Sequence, residues 1–131
     1  MKSILMIYFE NMENIEVKIN VTNVIGDVYG VEAEEGQKVY DLIKKAFAEN
    51  RKVVLSFLNI EILTTAFLNT SIGQLYKDFS EETIKKNLSV ENISESGKVI
   101  LKRVVGTAKL FYKDKDTFLR LQQSIEEILE N

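Results

Sequence analysis

The apolar residues of the chain follow two different periods, which separate strands from helices. In residues 15–21 apolar and polar residues alternate, and this period of two predicts a strand with one face in water. Residues 88–93 alternate in the same way and predict a second strand of this kind. Residues 52–58 are almost continuously apolar, which is typical of a strand at the centre of a sheet. The apolar run at residues 4–9 predicts a further strand, buried on both faces.

Apolar residues at helical spacing follow the strands predicted at residues 52–58 and 88–93, and they also occur in residues 38–48. Hydroxyl residues that can cap a first turn precede three of the predicted helices: Thr64 or Thr65, Ser80, and Ser94 or Ser96. The last helix carries apolar residues along one side: Phe118, Leu121, Ile125, Ile128 and Leu129. Because the last two helices are both amphipathic, we expect them to pack on the sheet. Exchange of these helices between two copies in a homodimer is the alternative.

The predicted order of elements is strand, strand, helix, strand, helix, strand, helix, helix. This alternation favours an α/β layer fold with parallel pairing in part of the sheet. A single domain is expected over residues 1–131, because the sequence shows no internal repeat, linker or low-complexity tract. The two N-terminal strands are joined by a short polar loop, and we expect them to form an antiparallel hairpin.

The composition removes several classes of chemistry. The 131 residues include no histidine and no cysteine, so the usual general base at neutral pH, thiolate metal ligands and disulfides are all missing. Catalysis by serine–histidine or cysteine–histidine groups is excluded, and we expect a protein without enzymatic activity, metal or cofactor. A net charge of −3 argues against a dedicated nucleic-acid binder. No apolar run approaches the ~20 residues that a membrane span needs, so a cytoplasmic bacterial protein is expected.

One strand-to-helix turn resembles a known family. Residues 53–68 read Val-Val-Leu-Ser-Phe-Leu-Asn-Ile-Glu-Ile-Leu-Thr-Thr-Ala-Phe-Leu. This stretch resembles the core of STAS domains, the modules of anti-sigma factor antagonists and of sulfate transporters. It is more similar to a STAS-like family of unknown function found in small bacterial proteins. The resemblance implies a mixed sheet of about four strands with helices packed mainly on one face.

The resemblance also implies a regulatory protein-interaction module. In anti-sigma factor antagonists a partner kinase phosphorylates a serine at this turn, and the phosphate decides which protein is bound. By position that serine corresponds to Thr65, and Thr64 takes the place of the preceding aspartate. Phe67 replaces a flexible glycine, and Ser56 stands where an acidic residue is common. The resemblance suggests a histidine-kinase-like ATPase as the partner.

A physical argument supports the same site. A helix N-terminus presents unpaired N–H groups and a positive dipole end, so a phosphate on Thr64 or Thr65 would gain hydrogen bonds there. The simpler interpretation is that both threonines only cap the helix. The predicted contact surface continues through the turn and the following helix: Phe67, Asn69, Thr70, Gly73, Gln74 and Lys77.

Other functions stay open. The same helix N-terminus could hold a nucleotide phosphate or another small anion, which would make the chain a ligand sensor. A small acidic protein without cysteine is also compatible with an antitoxin or immunity protein that neutralises a toxin by surface complementarity. Glu32, Glu34 and Glu35 form an acidic cluster that could bind a cation. Acidic residues also suit the start of the helix that follows, and this is the interpretation we adopt.

Overall fold

A computed structural model describes residues 3–13, 15–113 and 115–130. The elements in chain order are α1 (Ile4–Glu13), β1 (Glu16–Asn20), α2 (Val21–Ile25), β2 (Tyr29–Gly30), α3 (Ala33–Ala48), β3 (Lys52–Ser56), β4 (Ile62–Leu63), α4 (Thr65–Leu68), α5 (Leu75–Asp78), α6 (Glu81–Asn87), β5 (Leu88–Glu91), α7 (Glu95–Lys113) and α8 (Lys115–Glu130). One π-helical turn, Asn69–Gly73, joins α4 to α5.

Three parallel strands form the main sheet in the order β1-β3-β5. Strand β3 is central, with Val53 opposite Val17 on one side and opposite Leu88 on the other. Alternation along the strands sends these residues to the same face as the buried Ile19 and Leu55. The opposite face carries exposed polar side chains, including the Lys18–Glu91 ion pair with its 3.6 Å N–O separation. The core therefore lies on one face of this sheet.

The N-terminal strand and the antiparallel hairpin were wrong predictions. Residues 4–9 belong to helix α1, and β1 pairs in parallel with β3. Ser3 begins the helix, because its hydroxyl oxygen accepts a hydrogen bond from the Met6 amide at 3.2 Å and its carbonyl accepts one from Ile7 at 3.1 Å. A short apolar run has no period that distinguishes a strand from a helix, and this local cap decides the outcome.

A mixed sheet of about four strands is not confirmed either. The described strands form the three-stranded parallel sheet and a separate parallel pair, β2 with β4. In that pair Tyr29 lies opposite Ile62, and Gly30 lies opposite Leu63. The α/β character of the prediction is confirmed.

Hydroxyl side chains begin three helices, as predicted. The backbone N–H groups they accept from are those of Phe67 for Thr64 (3.1 Å), Thr83 for Ser80 (3.1 Å) and Gly97 for Ser94 (3.0 Å). Where two caps were open, the structure selects Thr64 over Thr65 and Ser94 over Ser96. Each cap satisfies one backbone donor that the first helical turn leaves unpaired.

The segment from α4 to α5 is wedged between α3 and α7. A Cβ placed on Gly36 of α3 would lie 2.6 Å from the Phe67 carbonyl oxygen, so only glycine allows this approach. On the other side, a Cβ on Gly73 would lie 3.2 Å from a methyl carbon of Val104 in α7. These contacts surround Phe67 and Leu68, whose side chains are fully buried.

We expected both final helices to pack on the sheet; α7 packs within the chain, against the segment from α4 to α5 and against β4, whereas α8 leaves its described apolar side chains exposed. Helix α7 buries Val104 and Ala108. In α8 the apolar side chains of Leu121 and Ile125 are exposed, and the side chain of Phe118 lies outside the described residues. The sheet of the same chain therefore does not cover the described apolar side chains of α8.

We expect Gly36→Ala to lower the free energy of unfolding by about 1–3 kcal/mol, because α3 must move away from the Phe67 carbonyl. Gly106→Ala on the exposed side of α7 is the matched control, since nothing lies within 4 Å of its Cβ position. That change should stabilise the protein by roughly 0.5–1 kcal/mol, as alanine favours helix. Urea unfolding monitored by circular dichroism measures both, and equal effects at the two glycines would contradict the close contact.

Candidate interaction site at the strand-to-helix turn

The site begins where β3 leaves the sheet. Ser56 at the end of β3 is buried, and its hydroxyl oxygen accepts hydrogen bonds from the Asn92 side-chain amide at 3.1 Å and the Leu58 backbone N–H at 3.3 Å. Asn59 then turns the chain with a φ of 66°, in the left-handed region that asparagine tolerates. Ser56 thus joins the ends of β3 and β5 and fixes the direction in which the turn leaves.

Thr64 holds the turn in place through three hydrogen bonds. Its hydroxyl donates a hydrogen bond to the Val31 carbonyl at 2.6 Å and accepts one from the Phe67 N–H at 3.1 Å. Its own N–H donates to the Gly30 carbonyl at 3.0 Å. Phosphorylation of this half-buried oxygen would break the bond to Val31. The structure therefore separates the two threonines and leaves Thr64 with a structural role.

Thr65 is exposed at the first position of α4. Its hydroxyl makes no hydrogen bond with any residue that the structure describes, and so it is available to a partner or a modifying enzyme. The bond from Thr64 to Val31 brings this turn close to the start of α3, whose first turn contains Glu34 and Glu35. A phosphate at Thr65 would therefore add negative charge beside an acidic helix start.

Two members of the predicted contact surface lie inside the protein. The side chain of Phe67 is fully buried, and Gly73 is buried where the π-helical turn meets Val104. The apolar spacing of Phe67 with Leu68 and Ile72 was the signal for a core position, because all three lie on the side that faces the sheet and α7. In this conformation neither Phe67 nor Gly73 is accessible to a partner.

The other predicted contact residues divide into two groups. Asn69 and Lys77 are exposed. Thr70 and Gln74 are half-buried and engaged: the Thr70 hydroxyl donates to the Ala66 carbonyl at 3.0 Å, and the Gln74 amide donates to the Gln37 side chain of α3 at 3.0 Å. The surface that the helix offers is therefore narrower than the sequence suggested.

An exposed apolar pair beside Thr65 was missed by the sequence analysis. Tyr29 and Ile62 lie opposite each other in the β2–β4 pair and keep 47% and 50% of their surface exposed. Ile62 precedes Thr65 by three residues, so the pair borders the turn. The alternation of Ile62 (outward) with Leu63 (inward) was the available signal, but two residues are too few to show a period.

The π-helical turn contains an unpaired buried group. Its defining hydrogen bond runs from the Gln74 N–H to the Asn69 carbonyl at 2.9 Å. Ser71 in this turn is fully buried, and its hydroxyl has no partner among the described residues. A buried hydroxyl left unpaired is destabilising by about 1–3 kcal/mol. The π-helical turn is therefore destabilised by this hydroxyl, and the packing of the surrounding residues must offset that cost.

These features define a class: an α/β domain whose parallel sheet is covered on one face and whose exposed turn opens the helix after a central strand. Residues 35–98 match the family model described as STAS-like domain of unknown function (DUF4325). The match includes residues 53–68 and so confirms the resemblance that their sequence shows. The matched segment includes Thr64 and Thr65 as well as strands β3 to β5.

Neither the curated proteins nor the solved structures contain a match to this chain. Among the helices that the structure describes, none combines the length and the apolar character that crossing a membrane requires. Within the same residues, no three carboxylates gather into a group that could hold a metal ion.

We expect Thr64→Val to lower the free energy of unfolding by about 1–2 kcal/mol, because it removes the cap and leaves the Val31 carbonyl without its donor. Thr64→Ser keeps the hydroxyl and should recover most of the loss. Thr65→Val, at the exposed neighbouring position, should stay within about 0.5 kcal/mol of the parent chain. Chemical denaturation of the three variants checks this, and equal losses at the two threonines would show that the roles are not separated.

Proposed function

We propose that this chain is a regulatory protein-interaction module, similar to anti-sigma factor antagonists, and that it is not an enzyme. The observation that carries the proposal is the position of Thr65, an exposed hydroxyl in the first turn of α4 beside an exposed apolar pair. We call Tyr29, Ile62, Thr65 and Asn69 together the Thr65 surface. It combines apolar contact area with a group whose charge a kinase can change.

The apolar part of this surface supports a protein as the partner. Tyrosine is enriched in protein interfaces because it offers a large rigid ring with a polar end. Ile62 extends the same face of the two-stranded pair, and Asn69 supplies an exposed amide on the helix. A small anionic ligand would gain little from two exposed apolar side chains, whereas a protein would bury them.

Phosphorylation of Thr65 would act on binding and not on folding. The phosphate would add nearly two negative charges at the edge of the apolar pair. A partner that buries Tyr29 and Ile62 would have to remove water from this charge, which is strongly unfavourable without a cation opposite it. The cap made by Thr64 would remain intact, because its hydrogen bonds involve a different hydroxyl. Resemblance to anti-sigma factor antagonists makes a histidine-kinase-like ATPase the first partner to test.

Thermal melting with nucleotides distinguishes the ligand-sensor alternative from the protein-interaction module. A nucleotide bound at 100 times its dissociation constant stabilises the folded protein by about 2.7 kcal/mol, which thermal melting detects. Melting temperatures that do not change with ATP, ADP, GTP or GDP would favour the protein-interaction module. A clear increase would favour the sensor.

We expect Thr65→Glu to reduce recovery of the partner at least ten-fold when the tagged chain is purified from its native host and co-purifying proteins are quantified by mass spectrometry. Thr65→Gln is the matched control, because it has the same size without the charge, and its recovery should stay within about two-fold of the parent chain. A ten-fold change corresponds to about 1.4 kcal/mol of binding free energy. The proposal fails if both variants recover the partner equally and melt like the parent.

Ile62→Ser should reduce partner recovery in the same experiment, because it removes half of the exposed apolar pair. Val99→Ser on α7 is the control, since Val99 has a similar exposure of 57% but lies outside the Thr65 surface. Both changes are at exposed positions, so neither should alter the melting temperature by more than a few degrees. Equal recovery with the two variants would remove the apolar pair from the contact surface.

A further inference from the structure

A second surface, separate from the Thr65 surface, is a groove between α6, β5 and α7. It encloses about 640 Å³, within the range of protein binding clefts. Its apolar lining includes Tyr76, Ile84, Leu88, Val90, Leu101 and Val105. Burial and, to a smaller extent, the Glu81 carboxylate raise the pKa of the Tyr76 hydroxyl, which favours its uncharged form. The groove therefore combines an apolar lining with the charged side chains of Glu81, Glu82, Lys85 and Lys109.

Helix α8 carries an exposed strip of apolar side chains. Leu121, Ile125 and Ile128 follow one another at positions i, i+4 and i+7, and they keep 60%, 56% and 72% of their surface exposed. This is the anchor spacing with which an amphipathic helix occupies an apolar groove. An exposed apolar strip and an unfilled apolar groove in the same chain are each unfavourable in water and become favourable when joined.

The length of the connection argues against a helix occupying the groove of its own chain. Helix α7 ends at Lys113 and α8 begins at Lys115, so one residue separates them. Antiparallel helix pairs need a loop of about 2–5 residues, which is more than this connection provides. To lie back along α7, helix α8 would have to unwind at its start. A second copy of the chain can supply its α8 without this cost.

The charges along the two elements fit one orientation. Helix α6 is acidic at its start and basic at its end, through Glu81, Glu82, Lys85 and Lys86. Helix α8 has the opposite order, with Arg120 in its first half and Glu126, Glu127 and Glu130 near its end. Arg120 and Glu127 lie on the same side of α8, next to its apolar strip. When α8 runs parallel to α6, Arg120 lies toward Glu81 and Glu82, whose end of the groove also contains Lys109, and Glu127 lies toward Lys85 and Lys86. The antiparallel orientation would bring like charges together.

We infer that the chain forms a homodimer in which α8 of each copy lies in the α6–α7 groove of the other, parallel to α6. A two-fold axis makes the exchange reciprocal, so both apolar strips and both grooves are covered. This inference does not depend on the Thr65 surface.

The oligomeric state gives the first test. Light scattering after size exclusion should give twice the mass of one chain, and Ile125→Glu should raise the dimer dissociation constant at least ten-fold. Gln123→Glu is the matched control, because it adds the same charge on the opposite side of α8 and should leave the dimer intact. A monomeric parent chain overturns the inference, as does a dimer that Ile125→Glu does not weaken.

Cross-linking then identifies the occupant of the groove. The chain has no cysteine, so single cysteines report without background. One chain carries Lys109→Cys at the rim of the groove, and a second, with a different tag, carries Gln122→Cys beside the apolar strip of α8. The two proteins are mixed until their subunits have exchanged and mixed dimers have formed. A short bismaleimide should then join the two differently tagged chains.

Two other results would contradict the exchange. If Gln122→Cys chains cross-link mainly to one another, α8 pairs with α8 of the second copy and the groove is not its site. If a chain carrying both cysteines cross-links only within itself, α8 occupies its own groove. Loss of the dimer in Ile125→Glu with unchanged partner recovery would also show that the dimer and the Thr65 surface are independent.

Discussion

The close contact between Gly36 and the Phe67 carbonyl is the constraint on which the rest of the structure depends. Because glycine has no Cβ, α3 approaches the backbone of α4 directly, and this seats Phe67 in the core beneath the sheet. Because Phe67 is fixed in the core, the positions of the residues just before it are also determined. Thr64 reaches the Val31 carbonyl, and Thr65 is left at the surface. A packing requirement in the core thus determines what the turn exposes.

The same requirement gives the two threonines different chemistry although they are neighbours. The Thr64 hydroxyl both donates and accepts a hydrogen bond within the fold, whereas the Thr65 hydroxyl does neither with the residues that the structure describes. A change at the Thr65 hydroxyl would leave the hydrogen bonds of Thr64 intact, whereas a change at the Thr64 hydroxyl would break them. The cap that Thr64 provides is uncharged, so it places no negative charge next to the exposed Thr65 hydroxyl.

The sequence was informative where a long period or a complete local motif was present. The alternation at residues 15–21 and 88–93 and the apolar run at 52–58 predicted β1, β5 and β3, and the hydroxyl caps predicted the starts of α4, α6 and α7. It failed at residues 4–9, where six apolar residues fit a strand or a helix equally well. The parallel pairing of β1 with β3 depends on contacts between residues about 36 positions apart, which no local pattern contains.

The site was predicted in part for the same reason. Thr64 and Thr65 could be found from the turn, but their different environments depend on Val31, which is more than 30 residues away. Phe67 and Gly73 were assigned to the surface because the resemblance places the contact at this turn, although the apolar spacing of Phe67 with Leu68 and Ile72 indicated a core position. Tyr29 and Ile62 meet across a pair of two-residue strands, which is shorter than any period can reveal.

The two proposed surfaces lie at opposite ends of one helical segment, and this distance decides how far they can influence each other. Thr65 begins the segment, and Tyr76, near its other end, lines the groove eleven residues later and about 16 Å away along the axis. At physiological ionic strength the Debye length is about 8 Å, so a phosphate at Thr65 is largely screened at the groove. Electrostatic coupling between the sites is therefore weak. Mechanical coupling would have to pass through the π-helical turn, where the unpaired Ser71 hydroxyl makes the helical segment less favourable than a regular helix.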